Sequence, residues 1–370
     1  MIVVPKDLKS LPTLFLLFLA LTATAQAQYS RLSSYNIDAS QISLSGLSSG
    51  ADMTVQFEVA YSSLVKGVGV IAGSPYYCAE GQQDRATGVC TCFFACSGES
   101  VDLSKLVEVT KQNAVLGKID NPSNMGRHRV WLLSGTKDQL VPQQKMDALS
   151  KYYTNFIDKG QIFYKKDLPT GHAMPTDLYG NPCDTEVDPY INNCRYDAAG
   201  EMLKWIYGDI QPRNEGKLGG SFIQFDQSEF IPNPGDHSMA ADGWLYVPAQ
   251  CSDRSRACKL HVTFHGCSQY ETYSWWDYSF PYYHSFGRKF VDHAGYNTWA
   301  DTNDMIVLYP QATNSNAEGN LLGCWDWWGY DDANYAFKNG RQMAAIKMMI
   351  DRIAGAALSN SSGDATSSNH

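Results

Sequence analysis

Residues 40–46 (Ser-Gln-Ile-Ser-Leu-Ser-Gly) alternate polar and apolar side chains, the period of a strand with one buried face, and stop at a glycine. Beyond Gly50 the spacing changes. From Met53, the residues Phe57, Ala60, Tyr61 and Leu64 fall at +4, +7, +8 and +11, which lines one stripe of a helix. This stretch therefore predicts strand, tight turn, helix. Val68–Gly73, Arg129–Ser134 and Gln161–Lys165 predict further strands, and 143–157 and 197–207 predict helices. Alternation through the first half predicts an α/β sheet with helices on its faces. After Gly219-Gly220 the texture shifts to strands at Phe222–Phe225, Gly243–Val247, Leu260–Phe264 and Met305–Tyr309, before a last helix at Gln342–Ile353.

The two ends do not follow these periods. Lys6 and Lys9 precede the apolar run Leu11–Leu21, and Ala25-Gln26-Ala27 supplies a small-residue cleavage pattern. Residues 1–27 are therefore expected to be a signal peptide, and the run is shorter than the ~20 apolar residues of a membrane span. The expected product is a secreted, soluble protein, extracellular or periplasmic. Residues 28–357 form the expected single catalytic domain, and 358–370, without periodicity, an expected disordered tail. No Thr- or Pro-rich linker or internal repeat suggests a separate binding module. A net charge of −9 with 44% hydrophobic residues excludes a disordered chain and the basic face of a nucleic-acid binder.

The sequence holds 10 cysteines, which in an exported chain read as disulfides. Spacing suggests Cys183 with Cys194 and Cys251 with Cys258, each bracketing a polar loop, and two further bridges among Cys78, Cys90, Cys92 and Cys96. A zinc site is the competing reading of that last cluster, but it lacks paired Cys-x-x-Cys spacing.

The candidate chemistry begins at the first turn. Gly46-Leu47-Ser48-Ser49-Gly50 fits Gly-x-Ser-x-Gly where strand meets helix, so Ser48 would stand exposed on a strained turn. A serine hydroxyl needs an imidazole to take its proton and a carboxylate to orient that imidazole. In α/β-hydrolase order, acid and then histidine follow, each just beyond a strand. Asp138 lies after the strand 129–134 and His172 after the strand 161–165. Among 8 histidines, His265 also ends a strand and is the rival, while Asp177 and Asp184 are weaker substitutes for the acid.

One count departs from that fold. An ordinary α/β-hydrolase has roughly three or four strands before its nucleophile, one feeding the oxyanion-hole loop. Only twenty residues separate Ala27 from Ser48. The missing strands can come from the second half, where Leu260–Phe264 runs into His265-Gly266-Cys267. The expected fold is thus a circularly permuted, single-domain, disulfide-stabilised α/β-hydrolase. The amides of Ser49 and Cys267 would form the oxyanion hole, and a Cys267–Cys324 bridge would tie that loop to the tryptophan-rich segment after it.

Further motifs follow in order: Ser45-Gly-Leu-Ser-Ser-Gly50, Gly135-Thr-Lys-Asp138, Gly171-His172 with Pro175-Thr-Asp177, Lys204-Trp-Ile-Tyr-Gly208, His265-Gly-Cys267, Tyr296-Asn-Thr-Trp-Ala-Asp301, Leu308-Tyr-Pro-Gln-Ala312 and Gly323-Cys-Trp-Asp-Trp327. Together they resemble the extracellular polyhydroxybutyrate depolymerases, both the circularly permuted fungal type and the bacterial catalytic domains with an N-terminal lipase box. The resemblance covers almost all of 35–355. It implies a serine esterase with Ser48 as nucleophile, His172 as base, Asp138 as orienting acid, and Ser49 and Cys267 amides as oxyanion hole. It also implies a substrate-crevice tryptophan within Trp325–Trp328, with Trp325 and Trp327 as candidates, and neither metal nor organic cofactor. The partner would be a polyester or a hydroxyalkanoate oligomer.

The sequence also departs from that pattern. Residues 270–283 insert eight aromatics in fourteen positions, including Trp275 and Trp276. These either fill core or form a rim or lid that meets polymer, since flat exposed rings suit an apolar polyester. Two other functions fit the residues: a feruloyl or acetyl esterase on plant polysaccharide, and a non-catalytic secreted polymer-binding protein.

Overall fold

Eight strands, β1 (Ile37–Leu47), β2 (Gly67–Ile71), β3 (Arg129–Leu133), β4 (Ile162–Lys165), β5 (Ser221–Asp226), β6 (Asp242–Val247), β7 (Cys258–Phe264) and β8 (Met305–Tyr309), form one sheet. Their spatial order is β4-β3-β2-β1-β7-β8-β6-β5. The first six in that order run parallel, while β6 is antiparallel to both β8 and β5. The computed structural model describes residues 29–93, 95–277, 282–316 and 319–355, so the expected signal peptide and C-terminal tail lie outside the described residues. Among the described residues, no helix is long and apolar enough to cross a membrane.

The order explains the short N-terminal stretch. Strand β1, which leads into Ser48, sits mid-sheet, flanked by β2 from the first half and β7 from the second. Starting at β5 instead would place four strands before β1, so the chain is a circular permutation of the α/β-hydrolase sheet. Apolar residues of both halves, such as Leu44, Val70 and Leu132 with Leu245, Val262 and Leu308, share one core.

Helices α1 (Ser49–Ala60), α2 (Leu103–Val115), α3 (Gln143–Tyr153), α4 (Ala198–Tyr207) and α5 (Arg341–Ile353) accompany the sheet. Strand periodicity assigns α1 and α4 to opposite faces. A Cβ on Gly69 would meet Met202 Sδ of α4 at 2.1 Å, and one on Gly67 would meet Ile206 at 3.1 Å, so α4 packs closely over the two glycines on that face. Gly46 is registered with Val70, on the other face, where its missing Cβ lets the α1 backbone approach. Every residue of α1 is buried, rather than the one stripe that its apolar spacing predicts.

All ten cysteines pair: Cys78–Cys90, Cys92–Cys96, Cys183–Cys194, Cys251–Cys258 and Cys267–Cys324. Several elements escape the sequence periods: helix α2, a hairpin of Ser274–Asp277 with Tyr282–Ser285 in the aromatic insertion, a small sheet of Met174–Thr176, Asn181–Pro182 and Ile191–Asn193, and the short helices Lys289–His293 and Tyr296–Ala300.

Candidate active site

Parallel register brings the C-terminal ends of five strands to one edge. Leu47 aligns with Ile71, Ile71 with Leu133, Leu133 with Lys165, and Gly46 with Phe264. The loops that follow therefore converge, the usual place for a site in such sheets. At the head of α1, Ser48 adopts φ 58° and ψ −124°, a strained turn that exposes its side chain. The flanking glycines are required by space. A Cβ on Gly46 would lie 2.1 Å from Gly50 O, and one on Gly50 would lie 2.3 Å from Phe264 O, against the end of β7.

The acid and histidine loops are stitched together by their backbones. Thr136 N donates to Leu168 O and Lys137 N to Thr170 O, at 2.9 and 3.1 Å. That approach leaves no room for a Cβ on Gly135, which would sit 2.1 Å from Thr170 O. His172 Nδ1 donates to Asp138 Oδ2 at 2.9 Å, and Asp138 Oδ1 accepts from Val141 N at 2.7 Å. Both side chains are buried. With Nδ1 committed, Nε2 is the nitrogen left to act as base. Burial alone would lower the His172 pKa, but the charge and hydrogen bond of Asp138, with the charges of Glu186 and Asp52, lift it above 6.5.

Glu186 carries no signal in the sequence. Its Oε1 accepts from Gln139 N at 2.6 Å and from His172 N at 3.1 Å, so one carboxylate holds both loops. It belongs to a segment closed by Cys183–Cys194, and Gly171 N donates to Cys183 O beside it.

Across from the histidine, the His265-Gly266-Cys267 turn is held by bonds to three of its backbone polar groups. His265 O accepts from Trp325 Nε1 (3.0 Å), Gly266 N donates to Gln269 Oε1 (2.7 Å), and Gly266 O accepts from His265 Nδ1 (2.8 Å). The Cys267 amide, like that of Ser49, has no hydrogen-bond partner among the described residues. His265 Nε2 accepts from Ala312 N at 3.1 Å, so both ring nitrogens serve the backbone, and burial pushes its pKa down to about 4. The rival to His172 is thus a structural residue.

Ser48, Ser49, His172 and Cys267 line one cavity of about 340 Å³. Ser48 Oγ and the His172 ring share its wall without a direct hydrogen bond, a looseness common before substrate tightens the site. Thr87, Thr91 and Phe93 of the twice-bridged 78–96 loop form one side, and Leu321, Leu322, Trp327 and Trp328 another. Trp325 does not line it: at 0% exposure it is buried beneath the His265 turn. Trp275 and Trp276 stand apart, on the hairpin. Trp275 faces inward, stacked on His284 and Tyr273, while Trp276 and Tyr283 pair edge to face at 40% and 71% exposure. Among the described residues, no group of three or more His, Cys, Asp or Glu could hold a metal ion.

No protein-family profile matches the chain. It is 45% identical over 329 residues to a poly(3-hydroxybutyrate) depolymerase of Delftia acidovorans, covering 87% of this chain but only 61% of that enzyme. Two solved structures superpose on 88% of the chain and 99% of their own. One is a serine-to-alanine variant of a PHB depolymerase complexed with an R3HB trimer (TM-score 0.78, 34% identity), the other the PHB depolymerase from Penicillium funiculosum (TM-score 0.76, 35% identity). A polyhydroxybutyrate depolymerase of Talaromyces funiculosus is 35% identical over 91% of this chain and 96% of its own length. With that coverage, and the same fold, the chain belongs to the polyhydroxybutyrate depolymerase family.

Proposed function

We propose that this protein is a secreted serine esterase that hydrolyses poly(3-hydroxybutyrate) and its oligomers. The observation that carries the reading is the meeting, in one largely apolar cavity, of Ser48, the Asp138-held His172 and two backbone amides without partners among the described residues. Ser48 attacks the ester carbonyl while His172 Nε2 takes its proton. The Ser49 and Cys267 amides stabilise the tetrahedral oxyanion, each worth on the order of 3 kcal/mol in the transition state. His172 then protonates the departing alcohol, and water repeats the cycle on the acyl-enzyme.

Export fits five disulfides in a chain whose N-terminus reads as a signal peptide. The outer hairpin face, Trp276 with Tyr283, offers flat rings on which an apolar polyester can adsorb. Purified protein should release soluble acid from poly(3-hydroxybutyrate) granules, and Ser48→Ala should abolish both that release and labelling by a fluorophosphonate. Release of ferulate from feruloylated xylan, with none of hydroxybutyrate from granules, would refute the substrate assignment. Granule hydrolysis that survives in Ser48→Ala would refute the nucleophile.

A further inference from the structure

One buried carboxyl in the cavity has no part in that cycle. Asp52 follows Ser48 by four residues, one turn along α1, and helical side chains lean toward the N-terminus, so its carboxyl leans toward the Ser48 turn. It lines the same cavity as Ser48 and His172, at 6% exposure. Its Oδ1 accepts from Ser74 N at 2.7 Å and from Ser74 Oγ at 2.6 Å, which fixes the carboxyl's orientation. Among the described residues its Oδ2 has no hydrogen-bond partner.

The other polar side chains of the wall are largely engaged with their own backbone. Thr87 Oγ1 donates to Gln83 O, Thr91 Oγ1 to Ala86 O, and the Asn320 amide bonds Cys324 and Tyr330. Gln83 is exposed to solvent. Asp52 is therefore a buried carboxyl, oriented by Ser74, on the wall of this cavity, and its Oδ2 is left to accept from a ligand. Keeping it there costs free energy. Burial raises the Asp52 pKa to about 7, against the two Ser74 bonds and the charge of His172. On the alkaline side of that value Asp52 is a carboxylate.

The chemistry of a hydroxyacid oligomer decides what such a group can recognise. On the acyl side of the scissile ester the oligomer ends in a hydroxyl; on the alcohol side it ends in a carboxylate. An anionic Asp52 repels the second and accepts a hydrogen bond from the first. We propose that Asp52 is a specificity determinant that accepts from the 3-hydroxyl of the acyl group, so that short oligomers are cleaved at their hydroxyl end. This rests on the esterase reading above and adds the direction in which an oligomer lies.

The test compares kcat/KM for phenyl (R)-3-hydroxybutyrate and phenyl butyrate, substrates that differ by that hydroxyl. The wild type should favour the hydroxylated ester by about tenfold or more, the worth of a hydrogen bond to a charged acceptor. In Asp52→Ala the ratio should collapse to within about threefold of unity. Asp52→Asn is isosteric and keeps the acceptor for Ser74, so it carries the test if the alanine variant does not fold, with a ratio lowered about threefold or more. A purely structural Asp52 lowers both rates and leaves their ratio alone, which would overturn the inference while the esterase reading stands. A wild type inert toward both esters would overturn both.

Discussion

At the scale of residues, three histidines show how partners assign roles. His261 bonds Ser43 and Ser45 inside the core, and burial pushes its pKa to about 3. His265 is fixed to backbone on both nitrogens, so it stays neutral and holds the Gly266–Cys267 peptide in one orientation. His172 alone of the three has a carboxylate on Nδ1 and opens Nε2 to the cavity. A base must be unprotonated, and Asp138, Glu186 and Asp52 favour the proton, so activity should fall as pH drops through a midpoint above 6.5. Glu186→Gln keeps the acceptor but loses a charge, and should move that midpoint to lower pH. Asp138→Asn should cut kcat by roughly 10,000-fold, because the tautomer is no longer fixed. Steady-state pH profiles on a soluble ester check all three; an acid limb that ignores Glu186 would contradict this electrostatic account. Asp138 and His172 are legible in the sequence because each follows an apolar strand. Glu186 is not, because its role exists only once two loops distant in sequence have met.

Among the elements, the strands of the main sheet follow from their apolar runs, to within a few residues at the ends. Helix α2 does not, and its composition gives the reason. Its buried face is Leu106, Thr110 and Asn113, so two of three core positions are polar and the hydrophobic period is erased. Only the cap survives as a signal, Asp102 accepting from Lys105 N at 3.0 Å. The aromatic insertion divides between core and surface because a strand alternates its faces. Trp275 is paired with His284 and turns inward; Trp276 is paired with Tyr283 and turns out. Density of rings in a sequence cannot make that division without the register. Replacing Trp276 and Tyr283 together by alanine should lower the rate on polymer films about threefold or more relative to the rate on a soluble ester, since stacking contacts of this kind are worth about 1 kcal/mol. Equal losses on film and soluble ester would remove the hairpin from polymer binding.

For the whole molecule, the permutation has a mechanical consequence. The Ser48 turn, the Asp138 and His172 loops and the Ser49 amide come from the first half of the chain, while the Cys267 amide comes from the second. They meet because β1 is hydrogen-bonded between β2 and β7, and the Cys267–Cys324 bridge joins the His265–Cys267 turn to the Trp327–Trp328 wall. The permutation is legible in a single count, the twenty residues before Ser48, because one strand cannot supply an oxyanion loop. Which tryptophan faces the cavity is not legible, since Trp325, Trp327 and Trp328 are near neighbours whose directions are set by the turn they occupy. The most direct test is a crystal structure of the enzyme inactivated by an alkyl phosphonate ester. The expected adduct has phosphorus bonded to Ser48 Oγ, with the phosphoryl oxygen about 3 Å from both the Ser49 and Cys267 amide nitrogens. An adduct on another side chain, or a phosphoryl oxygen turned away from those two amides, would contradict the account.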